Sequence, residues 1–237
     1  KREQGAEAKE ATRGADQVDD LCAGLQGGVG QDLAGYKRRT FVRRVKRRMR
    51  GRGIGRGADY LERVQNDHNE CEALFRDLLI NVTRFFRDKP SFDVLVEQAI
   101  EPLLREGAQS EDGVRVWIPG CSSGEEAYTI AILFAEAART LNLPCNVQIF
   151  ATDIDESMLK IAREGSYPIA SLADIPHDLQ ELYVIPHKER FNIVGQIRDM
   201  IRFSGHSLIK DPVFSKVDLI SCRNLLIYFD DKLQKRV

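Results

Sequence analysis

The chain of 237 residues is 43% hydrophobic with a formal net charge of -1, enough apolar material for one large core or two smaller ones, and no overall charge bias that names a partner. No run nears the ~18 apolar residues of a membrane span and no signal-peptide pattern opens the sequence, so neither membrane insertion nor export is expected and the cytoplasm is the expected compartment. Five cysteines without a C-x-x-C pair and four histidines without H-x-x-x-H spacing speak against a disulfide framework or a zinc site, and no metal is expected.

Residues 1–30 are rich in Glu, Lys, Ala and Gly without a sustained apolar period, the composition of a linker or disordered tail, here one joining an upstream module. From Lys37 to Arg56 the character changes, with eleven Lys or Arg and no acid. Phe41, Val42, Val45 and Met49 recur at helical spacing, so one face of a basic amphipathic helix turns inward while Arg43, Lys46, Arg47 and Arg50 line the other. Gly51, Gly53, Gly55 and Gly57 end it. Such a stripe suits nucleic acid, an anionic membrane or an acidic protein, and is otherwise a solvated face.

A short helix is expected around Tyr60, Leu61 and Val64. Another, from about Asn69, carries Cys71, Leu74, Phe75, Leu78, Leu79 and Val82 as one buried stripe. Residues 31–90 therefore read as an N-terminal helical domain. The segment Asn81 to Asp88 closes it with polar groups interleaved among aromatics, and Pro90 suits the first turn of a new helix.

Residues 91–237 read as an α/β domain. Val114 to Ile118 is a strand, Gly120 to Gly124 a tight turn, and Ala127 to Leu141 a helix. Val147 to Thr152 is a near-continuous apolar strand expected to be buried on both faces. Asp155 is the expected N-cap of a helix Glu156 to Glu164 that stops at Gly165. This alternation implies parallel pairing. Arg190 to Val194 and Ile197 to Phe203 flank Gly195-Gln196, which reads as a two-residue hairpin turn, placing a small β excursion at about 185–204. Val217 to Cys222 reads as a further buried strand, with the C-terminal strands of the sheet expected to be missing.

The turn after the first strand admits three readings. Gly120-Cys121-Ser122-Ser123-Gly124 matches the G-x-S-x-G nucleophile elbow by letter. It also has the form of a glycine turn whose backbone approaches a nucleotide-like cofactor at a helix start, and the third reading is an ordinary strand-to-helix turn. A hydrolase needs strands and an oxyanion motif upstream, where the chain is helical and basic, and Glu125 and Glu126 would crowd a developing oxyanion. A dinucleotide-dependent oxidoreductase needs G-x-G-x-x-G, which is absent. A nucleoside needs an acid at the end of the second strand for its ribose hydroxyls, and Asp153 stands there.

Four segments, NVTRFFRD, GCSSGEEAYTIA, FATDID and SCRNLLIYFD, stand in order from residue 81 to residue 230. Together they resemble the CheR family of chemotaxis methyltransferases, protein-glutamate O-methyltransferases that methylate bacterial chemoreceptors with S-adenosylmethionine. The resemblance runs from about Gln31 to the C-terminus and implies a Rossmann-like methyltransferase sheet preceded by a small all-α domain. FRDLLINVTRFFRD further resembles proteins in which a methylesterase module is fused to the methyltransferase.

Carried over by position, the resemblance implies cofactor contacts at Asn81, Thr83, Arg87, Glu126, Asp153, Ser207, Leu208, Arg223 and Asn224, with Arg87 and Tyr228 beside the reacting groups. Ser207-Leu208 departs from the family's usual Asn-Leu. Only His187 to Arg190 stands where members that dock on a receptor's C-terminal pentapeptide carry a longer loop, so no such tether is expected. The basic face of Arg43, Lys46, Arg47 and Arg50 is then the expected docking surface for the acidic methylation helices of a chemoreceptor. The alternative is a non-enzymatic sensory or nucleic-acid-binding module that keeps the fold and works through the basic helix.

Overall fold

The computed structural model describes Asp20, Leu21, Leu25, Gly27 and residues 35–79, 81–107 and 113–237. They form two compact units, one of the described residues before Asn81 together with Leu225–Val237, the other of Asn81–Asn224. The linker expected over residues 1–30 lies outside the described residues except for four positions, of which Leu21 and Leu25 are buried.

The first unit is helical, with α1 at Arg38–Gly51, α2 at Gly57–Asn66 and α3 at His68–Leu78. Phe41 and Val45 of α1, Tyr60 and Val64 of α2, and Cys71, Leu74, Phe75 and Leu78 of α3 are its buried side chains. These recur every three or four residues, so each helix turns one apolar face inward. Asp67 caps α3 by accepting from the Glu70 N–H at 3.2 Å. The helix ends at Leu78 because Leu79 adopts extended backbone with ψ of 141°. That breaks the expected stripe: Val82, read as its last member, is 71% exposed.

The basic helix divides its cations between two tasks. Arg48 donates from Nε to Glu70 Oε1 and from Nη1 to Asp77 Oδ2, both at 2.6 Å. Arg52 Nη2 lies 2.9 Å from Glu70 Oε2, and the Tyr60 hydroxyl donates to Glu70 Oε1 at 3.0 Å. Burial alone would raise the Glu70 carboxyl, but the hydrogen bonds from Arg48 and Tyr60 and the charges of Arg48 and Arg52 hold it below the usual glutamate range. Arg43, Lys46, Arg47 and Arg50 are exposed. The C-terminal segment joins this unit through an antiparallel bridge between Tyr36 and Phe229, whose rings meet edge-on at 5.2 Å.

The second unit opens with α4 (Lys89–Leu95), which carries Pro90 in its first turn and runs through a π-helical turn (Val96–Ile100) into α5 (Glu101–Gly107). Then follow β1 (Val114–Pro119), α6 (Glu125–Leu141), β2 (Val147–Asp153) and α7 (Glu156–Glu164). After them come β3 (Ser166–Pro168), α8 (His177–Tyr183), β4 (Val184–His187), β5 (Arg190–Ile193), α9 (Gly195–Asp199), β6 (Ile201–Gly205) and β7 (Leu219–Ile220). The main sheet has the order β6-β2-β1-β7 with every neighbouring pair parallel. Its inner face, Val114, Val116 and Ile118 with Val147, Ile149 and Ala151, joins one core with Ile130, Ala131, Phe134 and other residues of α6. A second sheet, order β3-β5-β4, is antiparallel.

Three expectations need correction. Gly195-Gln196 is not a hairpin turn: Gly195 begins α9, and Ile201–Gly205 runs parallel to Ile149–Asp153 in the main sheet. The hairpin is instead β4–β5, closed at Lys188-Glu189 with Lys188 at a left-handed φ of 53°. The small sheet therefore spans Ser166 to Ile193 rather than about 185–204. The strand read over Val217 to Cys222 pairs only at Leu219 and Ile220, and Ile220 is 56% exposed because β7 has a neighbour on one side alone among the described residues. Nor is β2 buried on both faces: Gln148 is exposed and Phe150 half-buried. On that outer face Trp117 is covered by His206 and Phe214, at ring distances of 5.6 and 5.2 Å.

Candidate functional site

The turn that follows β1 is held from three sides. Cys121 N–H donates to Thr152 O at 3.0 Å, Gly124 N–H to Cys121 O at 2.9 Å, and Ser122 N–H to Asp153 Oδ2 at 2.7 Å. Gly120 and Gly124 adopt left-handed φ of 69° and 95°. A Cβ on Gly124 would lie 2.9 Å from the Ala162 Cβ, so glycine is needed for both conformation and space. Tyr167 hydroxyl donates to Ser123 O at 2.7 Å and fixes the outer side of the turn.

Three carboxylates gather at the carboxyl ends of β1 and β2. Asp153 Oδ1 accepts from the Asp155 N–H at 2.9 Å and Oδ2 takes the Ser122 N–H, and with the Ile154 N–H as a third donor the carboxylate still keeps lone-pair capacity for one more. Glu125 accepts from Ser123 Oγ at 2.7 Å and from Thr83. Glu126 Oε1 accepts from Ser221 Oγ at 2.7 Å. Burial raises all three carboxyls; their hydrogen bonds, and at Glu126 the charges of Arg223 and Arg87, pull the other way. The Ser122 hydroxyl, buried in the same turn, has no partner.

Two further segments close on these acids. Asn81 Nδ2 donates to Asp155 Oδ2 at 2.8 Å, and Asp155 caps α7 through Ser157 and Met158 N–H. Arg223 Nη2 donates to Arg87 O at 2.9 Å, and its guanidinium lies 4.3 Å over the Phe92 ring. Arg87 Nη1 in turn donates to Val82 O at 2.9 Å. The segment 81–88, the turn after β1, the end of β2 and the segment after β7 are thus fastened to one another.

This chain matches the model of the CheR methyltransferase SAM-binding domain over residues 81–237 and that of the CheR all-alpha domain over residues 16–79. The chain belongs to the CheR methyltransferase family. It is a methyltransferase, and its methyl donor is S-adenosylmethionine. The chemotaxis protein methyltransferase of Borreliella burgdorferi is 30% identical over 228 residues, which cover 94% of this chain and 81% of that protein. Chemotaxis protein methyltransferase 2 of Pseudomonas aeruginosa is 31% identical, with 88% and 74% covered. An uncharacterized 104.1 kDa protein of Rhodobacter capsulatus is 39% identical over 85% of this chain, which spans about a fifth of that protein (21%).

The residues read as CheR cofactor contacts fall into three groups. Thr83, Arg87, Glu126, Asp153 and Arg223 belong to the network around the turn, as does Asn81 through Asp155. Ser207 and Leu208 follow β6, where Ser207 N–H donates to Asp211 Oδ2 at 2.7 Å. Asn224 stands exposed at a left-handed φ of 57°. Tyr228 belongs to the other compact unit, where its carbonyl accepts from Lys37 N–H at 2.8 Å. Sequence reading missed Glu125, Ser221 and Ser122. Glu125 was legible as the first acid of Glu125-Glu126, while the Ser221 contact depends on bringing residues 95 positions apart together. Among the described residues no cluster of metal-ligating side chains occurs, and no helix is long and apolar enough to cross a membrane.

The donor set fits S-adenosylmethionine. A desolvated carboxylate at Glu126 suits its ammonium, the remaining lone-pair capacity of Asp153 suits a ribose hydroxyl, and the unpartnered Ser122 hydroxyl supplies a further polar atom at the turn.

Proposed function

We propose that the chain transfers a methyl group to glutamate side chains of a chemoreceptor, giving glutamate methyl esters. The observation that carries this reading is the Ser221–Glu126 hydrogen bond together with the Arg223–Arg87 contact, since these fasten the separate segments around one set of carboxylates. When bound, S-adenosylmethionine supplies an electrophilic methyl on a sulfonium. Glu126 would hold the ammonium, and Asp153 would hold the ribose, with Asn81 and Thr83 keeping the segment 81–88 against the turn. Arg223, its guanidinium committed to Arg87 O and the Phe92 face, acts as a positioning residue for Arg87.

The receiving glutamate needs no general base, because its unperturbed pKa of about 4.3 leaves it ionised at neutral pH. The site must therefore supply alignment, and correct positioning recovers roughly 7–11 kcal/mol of a bimolecular barrier. In this reading Arg87 and Tyr228 align the reacting groups. Receptor recognition rests on the exposed cations of α1, because the β4–β5 hairpin closes with two residues, which supports docking without a pentapeptide tether. Fusion to, or pairing with, a methylesterase module is part of the same reading.

The test is transfer of labelled methyl from S-adenosylmethionine to receptor fragments. Base-labile label on glutamates is expected, with Arg87→Ala and Tyr228→Phe lowering kcat more than they raise KM. Label on another residue type, or normal turnover in both variants, would overturn the assignment.

A further inference from the structure

A cleft of about 350 Å³ lies apart from the carboxylate cluster, between the C-terminal end of α7, α9 and the start of β6. Arg163, Arg198 and Arg202 line it, with Tyr128, Ile201 and Phe203 as its apolar wall. The charges are unevenly paired. Arg163 forms an ion pair with Glu156. Arg198 Nη2 donates to the Arg163 carbonyl at 3.1 Å, and Arg202 Nη1 donates to the carbonyls of Asp199 and Ile201 at 3.1 and 3.4 Å. Arg198 also meets the Tyr128 hydroxyl, so these last two guanidiniums are placed by neutral oxygens, which do not neutralise them. Asp199 is the one acid in the lining.

We propose that this cleft binds a phosphate group, either free phosphate or the phosphate ester of a small aromatic molecule. A guanidinium offers five N–H donors in a rigid fork, and clustered guanidiniums favour a tetrahedral dianion over a monovalent halide. The Arg198 side chain is preplaced: it runs over Gly165, whose left-handed φ of 59° leaves the space a Cβ would fill at 3.1 Å from Arg198 Nε. The volume stands at the small end of ligand pockets, suited to one phosphate and one ring. Phe203, half-buried and backed by the buried Tyr128 ring at a centroid distance of 5.6 Å, supplies an aromatic surface for that ring. The site is independent of the methyl-transfer reading, since it uses none of the residues assigned to the cofactor.

The test is calorimetric titration of the full chain with inorganic phosphate and with phenyl phosphate at constant ionic strength, against chloride, with S-adenosylhomocysteine saturating. Saturable binding is expected that Arg202→Gln weakens at least tenfold. Arg202 bonds only within its own turn, so this variant is expected to fold normally. Arg47→Gln, on the basic helix, should leave the affinity unchanged. Tighter phenyl phosphate would identify an ester ligand, and equal or tighter inorganic phosphate the free ion. Binding no stronger than that of chloride, or binding lost in Arg47→Gln but kept in Arg202→Gln, would overturn the proposal.

Discussion

Ser221 Oγ donates to Glu126 Oε1 at 2.7 Å, joining the end of β7 to the first turn of α6. The serine is buried, so this hydrogen bond both satisfies its hydroxyl and favours the ionised form of a carboxyl that burial pushes upward. Glu126 is therefore held in tension between desolvation and a single strong donor, aided by the charges of Arg223 and Arg87. A cationic ligand group would resolve that tension.

It follows that removing the hydroxyl should be felt as a pH shift in cofactor binding. If ionised Glu126 receives the ammonium, affinity for S-adenosylhomocysteine falls as pH drops through the raised Glu126 pKa, above its ordinary 4.5. Ser221→Ala removes an interaction that favours the carboxylate, so the midpoint should move to higher pH. Calorimetry across a pH series reads this directly, and an unshifted midpoint would separate Ser221 from Glu126.

Asp153 is expected to act twice, on the turn and on the ligand. In Asp153→Ala the Ser122 and Asp155 N–H groups lose their acceptor and the ribose hydroxyls lose theirs. A lost buried acceptor costs about 1–3 kcal/mol, so S-adenosylhomocysteine should bind roughly 5- to 150-fold more weakly. Asp153→Asn keeps one acceptor oxygen and should bind between the two. Equal affinity of the folded alanine variant and the parent would remove Asp153 from the site.

In the helical unit the direction of the pKa shift is the opposite one. Glu70 has its carboxyl lowered by its arginine and tyrosine partners, despite burial. Its contribution to stability is present above the ordinary glutamate value of 4.5 and is lost as pH falls through the lower folded value. Glu70→Gln leaves Arg48 short of a counter-charge at a side chain 13% exposed, and breaking such a pair costs about 3 kcal/mol at neutral pH. Thermal unfolding should show that deficit shrinking as pH drops below 4.5. A constant deficit would mean that packing, and not charge, makes the contribution.

Local rules were legible where local forces decide. Asp155 caps α7, Gly165 ends it with φ of 59°, and Pro90 opens α4, because each depends on neighbours within a turn or two. The hairpin reading at Gly195-Gln196 failed because a Gly-x pair between apolar runs has two local solutions. Only the docking of Ile201–Gly205 beside β2 selects the helix. The site was legible in its acids and glycines, which a resemblance can carry by position. Its positioning contacts were not, since Ser221–Glu126 and Arg223–Arg87 span 95 and 136 residues and leave no periodic trace.

The basic helix gives the sharpest contrast between two kinds of arginine on one element. Arg48 is spent on Glu70 and Asp77, so its reversal to Glu should unfold the helical unit. Arg43, Lys46 and Arg50 are exposed, and the reversal of each should change the unfolding free energy by no more than about 0.5 kcal/mol, as expected of surface changes. A methylation helix that presents glutamates offers a negative stripe to which such a face is complementary. Charge complementarity at an exposed rim acts mainly on the association rate and is screened by salt. The triple reversal should therefore slow methylation of receptor fragments most at low ionic strength, abolish the salt dependence shown by the parent, and leave S-adenosylhomocysteine binding unchanged. A nucleic-acid role for the same face predicts instead duplex DNA binding with a steep salt slope that the reversal removes. Both assays run on one set of variants: full methylation by the reversed protein sinks the docking role, and DNA affinity at physiological salt would put the nucleic-acid role in its place.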